Sequence, residues 1–148
     1  MKKLLLILIL IIFTFGCTQQ TNFEKEEALV LRVVDGDTVE LFGGEKVRLI
    51  GIDSTERGEE CFEEAKQKLK VLVEGKTVLL EKDIEERDKY ERLLAYIYVD
   101  ELFVNLKMVE EGFANAFPFE LSTRYSKDFA FAEEKAQKEQ KGCLWNAV

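Results

Sequence analysis

The stretch Val33–Glu56, VVDGDTVELFGGEKVRLIGIDSTE, constrains the fold more than any other part of the chain. Val, Leu and Ile recur there on one phase of an alternating pattern, which breaks at Asp35-Gly36 and at Gly43-Gly44. Alternation with a period of two reads as half-buried strands, and the glycine-containing turns join them as a meander. The same stretch places Asp37, Arg48, Asp53 and Glu56 near strand ends. Such a set at the open end of a sheet points to a site for a hard cation and a phosphate. The plainer reading, solvated rim charges, suits any one of the four better than it suits the set.

The rest of the chain supplies the partners such a meander needs. Strands are predicted at Ala28–Val34, Asp37–Phe42, Lys46–Ile52, Thr77–Glu81 and Leu93–Val99, the last turning at Asp100-Glu101. Between the third and fourth, Phe62, Ala65, Leu69 and Leu72 repeat at helical spacing, so Glu59–Glu74 reads as an amphipathic helix ended by Gly75. Asn105 is placed to cap a short helix through Glu111, and Ser126 a last helix running to Lys141. Asp83–Arg92 reads as a polar loop and Phe113–Tyr125 as irregular, while Trp145 is expected to fold back on the body. Five strands with three helices predict a small mixed barrel, mainly β with α.

At 148 residues this is one domain with room for a core. Its N-terminus is different in kind. Lys2-Lys3 precede an apolar run, Leu4–Phe15, too short for the roughly 20 residues of a membrane span and suited to a secretory signal over residues 1–16. Gly16-Cys17 and a polar stretch follow, with residues 17–27 reading as a tether before a domain at 28–148. A small residue and then cysteine resembles the lipobox of prokaryotic lipoproteins. That likeness implies cleavage before Cys17 and lipidation of its sulfur, although Thr14 and Phe15 depart from the usual pattern. A soluble secreted form and an uncleaved anchor are the alternatives.

Cys61 and Cys143 remain after such processing. In an exported chain an even pair reads as a disulfide, the alternative being two buried thiols. Closing about 80 residues would stabilise by roughly 4–5 kcal/mol in the chain-entropy picture.

Charge sets a second limit. Without Lys2 and Lys3 the chain carries 19 basic against 29 acidic residues, a net charge of −10. A protein that grips nucleic acid ordinarily shows a basic face, so here positive charge must be concentrated locally or brought in by a cation. With no histidine, His-ligated zinc and a histidine base are both excluded. Asp37 and Asp53, with a backbone carbonyl such as that of Ser54, suit calcium or magnesium, leaving positions for water and a phosphate oxygen. Arg48 and Arg92 stand at strand ends, where a guanidinium can hold a phosphate by two hydrogen bonds and stabilise growing charge. Glu56 is spaced to orient or deprotonate a water. Asp35 lies close enough to add negative potential or a water-mediated contact, and reads otherwise as a turn residue bonding its own backbone.

VVDGDTVEL, VRLIGIDSTE and DKYERLLAYIYVD, followed by VNLKMVEEGFA and AQKEQKGCLW, resemble the staphylococcal thermonuclease family in order and across Val30–Trp145. The resemblance implies a five-stranded OB-fold barrel with three helices. It also implies calcium-dependent hydrolysis of DNA and RNA that leaves 3′-phosphate ends. By the same likeness Asp37, Asp53 and the Ser54 carbonyl would bind calcium, and Arg48 and Arg92 the phosphate. Glu56 would be the general base, and Lys89 and Tyr90 would meet a terminal phosphate of the substrate. The chain departs from the family at Ser54 for Thr, Thr55 for Pro and Glu91 for Gly. Phe117, Pro118 and Phe119 lie where the family carries base-stacking tyrosines; a phenyl face can also stack on a base, or simply fill the core.

Two other functions fit the same residues: a catalytically silent OB-fold module binding single-stranded nucleic acid or protein, and a structural lipoprotein that binds calcium for stability. A mere binder has no need of Arg48, Glu56 and Arg92 together. Nothing in the sequence demands more than a monomer.

Overall fold

The computed structural model describes residues 25–118 and 124–146. The apolar leader, Cys17 and Phe119 lie outside the described residues. In chain order the elements are β1 (Lys25–Val33), β2 (Thr38–Leu41), β3 (Lys46–Leu49), β4 (Ile52–Asp53), α1 (Phe62–Val73), β5 (Thr77–Glu81), β6 (Leu93–Val99), β7 (Leu102–Phe103), α2 (Val104–Glu110), β8 (Asn115–Ala116), α3 (Ser126–Lys138) and α4 (Gly142–Trp145).

Five strands close into a barrel in the order β3-β2-β1-β5-β6, with β3 returning to pair in parallel with β6. This is the expected mainly-β fold with helices, an OB-type barrel. Closure depends on β1, which serves two neighbours. Lys25–Leu29 pair with β5, Val30–Val33 pair with β2, and the register slips between Val30 and Arg32. An extra residue at such a bulge bends a strand and sharpens its twist, the means by which a small sheet curls shut. Val30, Val39, Val47, Leu49, Val78 and Leu80 point inward and are buried, as the alternation predicts. β6 is buried on both sides, because α2 and α3 cover its outer face and Tyr96 lies near Phe129 and Tyr125 there.

Several boundaries differ from the sequence reading. β1 starts at Lys25 rather than Ala28, since Lys25, Glu26 and Glu27 find partners in Glu81, Leu80 and Leu79. The predicted third strand breaks after Leu49: Gly51 takes φ +81°, and a Cβ there would meet the Phe129 ring at 2.2 Å. The chain then resumes as β4, which pairs with β8 inside the segment predicted to be irregular. α1 begins at Phe62, not Glu59, behind a turn and a left-handed Cys61. Tyr125, not Ser126, occupies the cap position of α3, which ends at Lys138. Gly142 opens α4, a fourth helix, instead of closing the third. A disulfide joins Cys61 to Cys143 with Cα atoms 5.2 Å apart, tying the start of α1 to α4.

Asn105 is not a cap. It is fully buried; its Oδ1 accepts the Ile97 amide at 2.8 Å and its Nδ2 donates to Ile50 O at 2.9 Å and Ala95 O at 3.3 Å. The side chain thus fastens the Ile50-Gly51 corner to β6, and that corner aims Asp53. Asn105→Ala would take this partner from the buried Ile97 amide and Ile50 carbonyl, while Ala95 O would keep the Ile50 amide at 3.0 Å. The expected loss is about 3 kcal/mol or more, measured by urea unfolding.

Candidate active site

Three loops meet at one end of the barrel. The Asp35–Asp37 turn leaves β1, β4 follows β3, and a hairpin of residues 88–92 enters β6. Between them lies a cleft of about 190 Å³ lined by Asp35, Asp37, Arg48, Asp53, Ser54, Thr55, Glu56 and Arg92. Six of the eight carry charge. A larger hollow of about 580 Å³ sits between α2 and α3 and shares none of these residues; its lysines, Lys107, Lys135 and Lys141, are matched by Glu110, Glu111 and Asp128.

Arg48 organises the cleft. It is 6 % exposed; its Nε lies 3.1 Å from Asp37 Oδ1 and its Nη2 2.7 Å from Asp53 Oδ1, while Nη1 donates to Leu49 O at 2.6 Å and Ile52 O at 2.7 Å. The planar fork of donors makes this multiple grip possible. Asp37 is buried too, and its Oδ2 accepts the Ser54 amide at 2.7 Å. That approach needs a glycine at 36, where a Cβ would stand 2.6 Å from Ser54 Cβ and 2.9 Å from Ala65 Cβ. Asp35 accepts the Asp37 amide at 3.2 Å, the turn bond expected of it, and its carboxylate also faces the cleft.

Arg92 enters from the opposite side. Its Nε donates to Asp88 Oδ2 at 2.7 Å and its Nη1 reaches Thr38 Oγ1 at 3.4 Å. Thr38 in turn donates to Asp37 Oδ1 at 3.0 Å, so one hydroxyl links the two halves. Neither Asp88 nor Thr38 was singled out by the sequence reading. The four-residue spacing of Asp88 and Arg92 and the DGDT string were the available signals. Lys89 and Tyr90 stand beside Arg92 on the exposed hairpin, with the Arg92 guanidinium 5.4 Å and Lys89 Nζ 5.0 Å from the Tyr90 ring, but they do not line the cleft. Phe117 is half-exposed beside Gly51 and Phe129, in a hollow of about 220 Å³, and is not core.

Glu91 keeps the left-handed conformation that glycine would favour, at φ +62°, and its carbonyl accepts Arg87 Nη1 at 2.7 Å. Arg92, the next residue, lines the cleft. A side chain in that region costs about 1–2 kcal/mol. Glu91→Gly is therefore expected to raise stability by up to about 1 kcal/mol after glycine's own entropy. Thermal unfolding checks it.

The electrostatics of the cleft are unbalanced. Four carboxylates face two guanidiniums. Burial raises the pKa of Asp53 above the ordinary aspartate value; Arg48 works against this, and the charges of Asp37 and Glu56 add to it. Asp35 is raised by burial and by Asp37 beside it. Among the described residues no three acidic, cysteine or histidine side chains are grouped tightly enough to hold an ion alone. The donors present still fit a hard cation that shares its shell with water: all are oxygens, the Asp53 side chain is half-exposed, and both cysteines among the described residues are bonded to each other.

A closed five-strand barrel with a paired-carboxylate, paired-arginine cleft defines the class. The sequence profile described as "Staphylococcal nuclease homologue" matches residues 46–147, and the chain belongs to that family. An uncharacterized endonuclease of Haemophilus influenzae is 34% identical over 151 residues, covering 97% of this chain and 79% of its own length. A thermonuclease of Staphylococcus intermedius is 34% identical over 129 residues, 81% of this chain and 77% of that one. Endonuclease YncB of Bacillus subtilis is 36% identical over 143 residues, 88% of this chain and 67% of that one.

Proposed function

We propose that the chain is a calcium-dependent nuclease that hydrolyses phosphodiester bonds of DNA and RNA, leaves 3′-phosphate ends, and acts as a monomer. The observation that carries this reading is the cleft itself: two guanidiniums, two candidate ligand carboxylates and one exposed glutamate around a volume of about 190 Å³, enough for one phosphate. All these residues come from a single chain, which is why no partner copy is invoked.

Phosphodiesters resist attack because their negative charge repels nucleophiles. In this reading Arg48 and Arg92 bind the phosphate oxygens from two sides and stabilise the charge that builds in the transition state. Glu56, exposed at the mouth, takes the proton of the attacking water. Calcium bound by Asp37, Asp53 and the Ser54 carbonyl would supply the further positive charge that the excess of carboxylates calls for. Phe117 offers a ring face on which a base can stack, and Lys89 and Tyr90 flank the path of the strand. We further propose export under the N-terminal signal and anchorage to a membrane through lipid on Cys17; among the described residues no helix is long and apolar enough to cross a membrane.

The test is to incubate the protein with denatured DNA, and separately RNA, in calcium and then in excess chelator. Cleavage that chelator abolishes, with 3′-phosphate termini, is the expected result. Binding of single strands without cleavage in any calcium concentration would favour a silent OB-fold module instead.

A further inference from the structure

The residue that supplies the base sits on a loop with no regular structure, between β4 and α1. At its first end Ser54 is held by Asp37. The sequence offers Thr55 where the family has proline, so the chain before Glu56 lacks the stiffness a proline ring would give. Two other features restrain it. The Glu59 amide donates to Glu56 O at 3.0 Å, with Gly58 at φ +94° as the third residue, a turn of the type that requires positive φ at that position. The Glu59 carboxylate then reaches back and accepts the Glu56 amide through Oε2 at 2.8 Å. Both hydrogen-bonding groups of the Glu56 backbone are thereby tied to one residue. Two positions further on, Cys61 is fixed by its bridge to Cys143.

We propose that Glu59 is a positioning residue for Glu56, a carboxylate clamp that sets the direction of the base across the mouth of the cleft. The proposal rests on the reading of Glu56 as that base. Glu59 does not line the cleft, and its role is exerted through the Glu56 backbone alone. A base misaimed by about 1 Å can lose up to about 100-fold in rate while substrate binding is untouched. The acceptor, not the charge, is what the clamp needs, so a glutamine should serve nearly as well.

The experiment uses full-length protein in mild detergent, cleaving a single-stranded oligonucleotide in saturating calcium, with Glu59→Ala, Glu59→Gln and Glu60→Ala compared. The last removes the same charge one residue away. Glu59→Ala is expected to lower kcat about tenfold or more with KM within about twofold, while the other two stay within about threefold of the parent. Amide exchange at Glu56 is followed in the same proteins; it should quicken in Glu59→Ala only. A parental kcat with unchanged Glu56 exchange in Glu59→Ala would overturn the clamp, as would an equal loss in Glu60→Ala. A parent protein that cleaves nothing would count against the nuclease reading, and the exchange rates would still decide the clamp.

Discussion

Arg48→Leu is expected to lose both stability and activity, the first by about 3–5 kcal/mol and the second by about 10²–10³-fold in kcat or more. The two losses have different causes. In the folded chain Arg48 neutralises Asp37, which is 5 % exposed, and satisfies the carbonyls of Leu49 and Ile52. Removing the guanidinium leaves the Asp37 carboxylate buried without its counter-charge and takes a donor from two backbone acceptors, and an uncompensated buried charge is among the costliest single changes a fold can suffer. On the proposed mechanism, the same change removes one of the two guanidiniums that line the cleft. Arg48→Lys separates the effects: it restores the charge but cannot form the fork that reaches Asp37, Asp53 and both carbonyls at once. Urea unfolding should show partial recovery of stability in the lysine variant, and single-turnover cleavage should show little recovery of rate. Equal recovery of both would mean that charge alone, not the fork, is what the site uses.

Glu56→Gln is expected to leave the fold alone and stop the chemistry. Glu56 is exposed, and the contact that holds it in place is made by its backbone amide, which glutamine retains. An exposed isosteric change of this kind ordinarily alters stability by less than about 0.5 kcal/mol. Loss of a general base costs about 10²–10⁴-fold. Thermal unfolding and oligonucleotide affinity should therefore match the parent while kcat falls by at least about 10²-fold. A variant that cleaves at the parental rate would remove Glu56 from the mechanism and leave the two arginines as a binding site only.

The barrel was legible because its strands carry strict alternation and its turns carry glycine. The failures have physical reasons. Lys25–Glu27 look like a tether because all three side chains are polar, yet a strand needs only backbone partners, and β5 supplies them. The break at Gly51 depends on Phe129 lying against it, a contact from 78 positions away that no local pattern announces. Asn105 stands at the start of a helix, where a cap is the local expectation, but burial turned its amide inward to fasten β6. The cleft was legible in its residues but not in its wiring. Asp37, Arg48, Asp53, Ser54, Glu56 and Arg92 line one volume, while Lys89 and Tyr90 stand outside it on the hairpin. That Thr38 would join the two halves, and Asp88 hold Arg92, required the barrel to close first.

The excess of carboxylates also bears on the net charge of −10 left without Lys2 and Lys3. A surface so acidic repels a polyanion at long range, and at about 0.15 M salt that repulsion fades beyond roughly 8 Å. On the proposed function, capture of substrate would then fall to the two arginines and a recruited cation. Affinity should be modest, with cleavage sensitive to divalent ion more than to monovalent salt.

The most direct measurement is a crystal structure of the protein with calcium and a short nuclease-resistant phosphorothioate oligonucleotide. A single phosphate group bridged by Arg48 and Arg92, with the ion on Asp37 and Asp53 and Glu56 facing that phosphate, is the expected arrangement. An oligonucleotide seated elsewhere, such as the lysine-bearing hollow between α2 and α3, with the cleft holding neither ion nor phosphate, would contradict it.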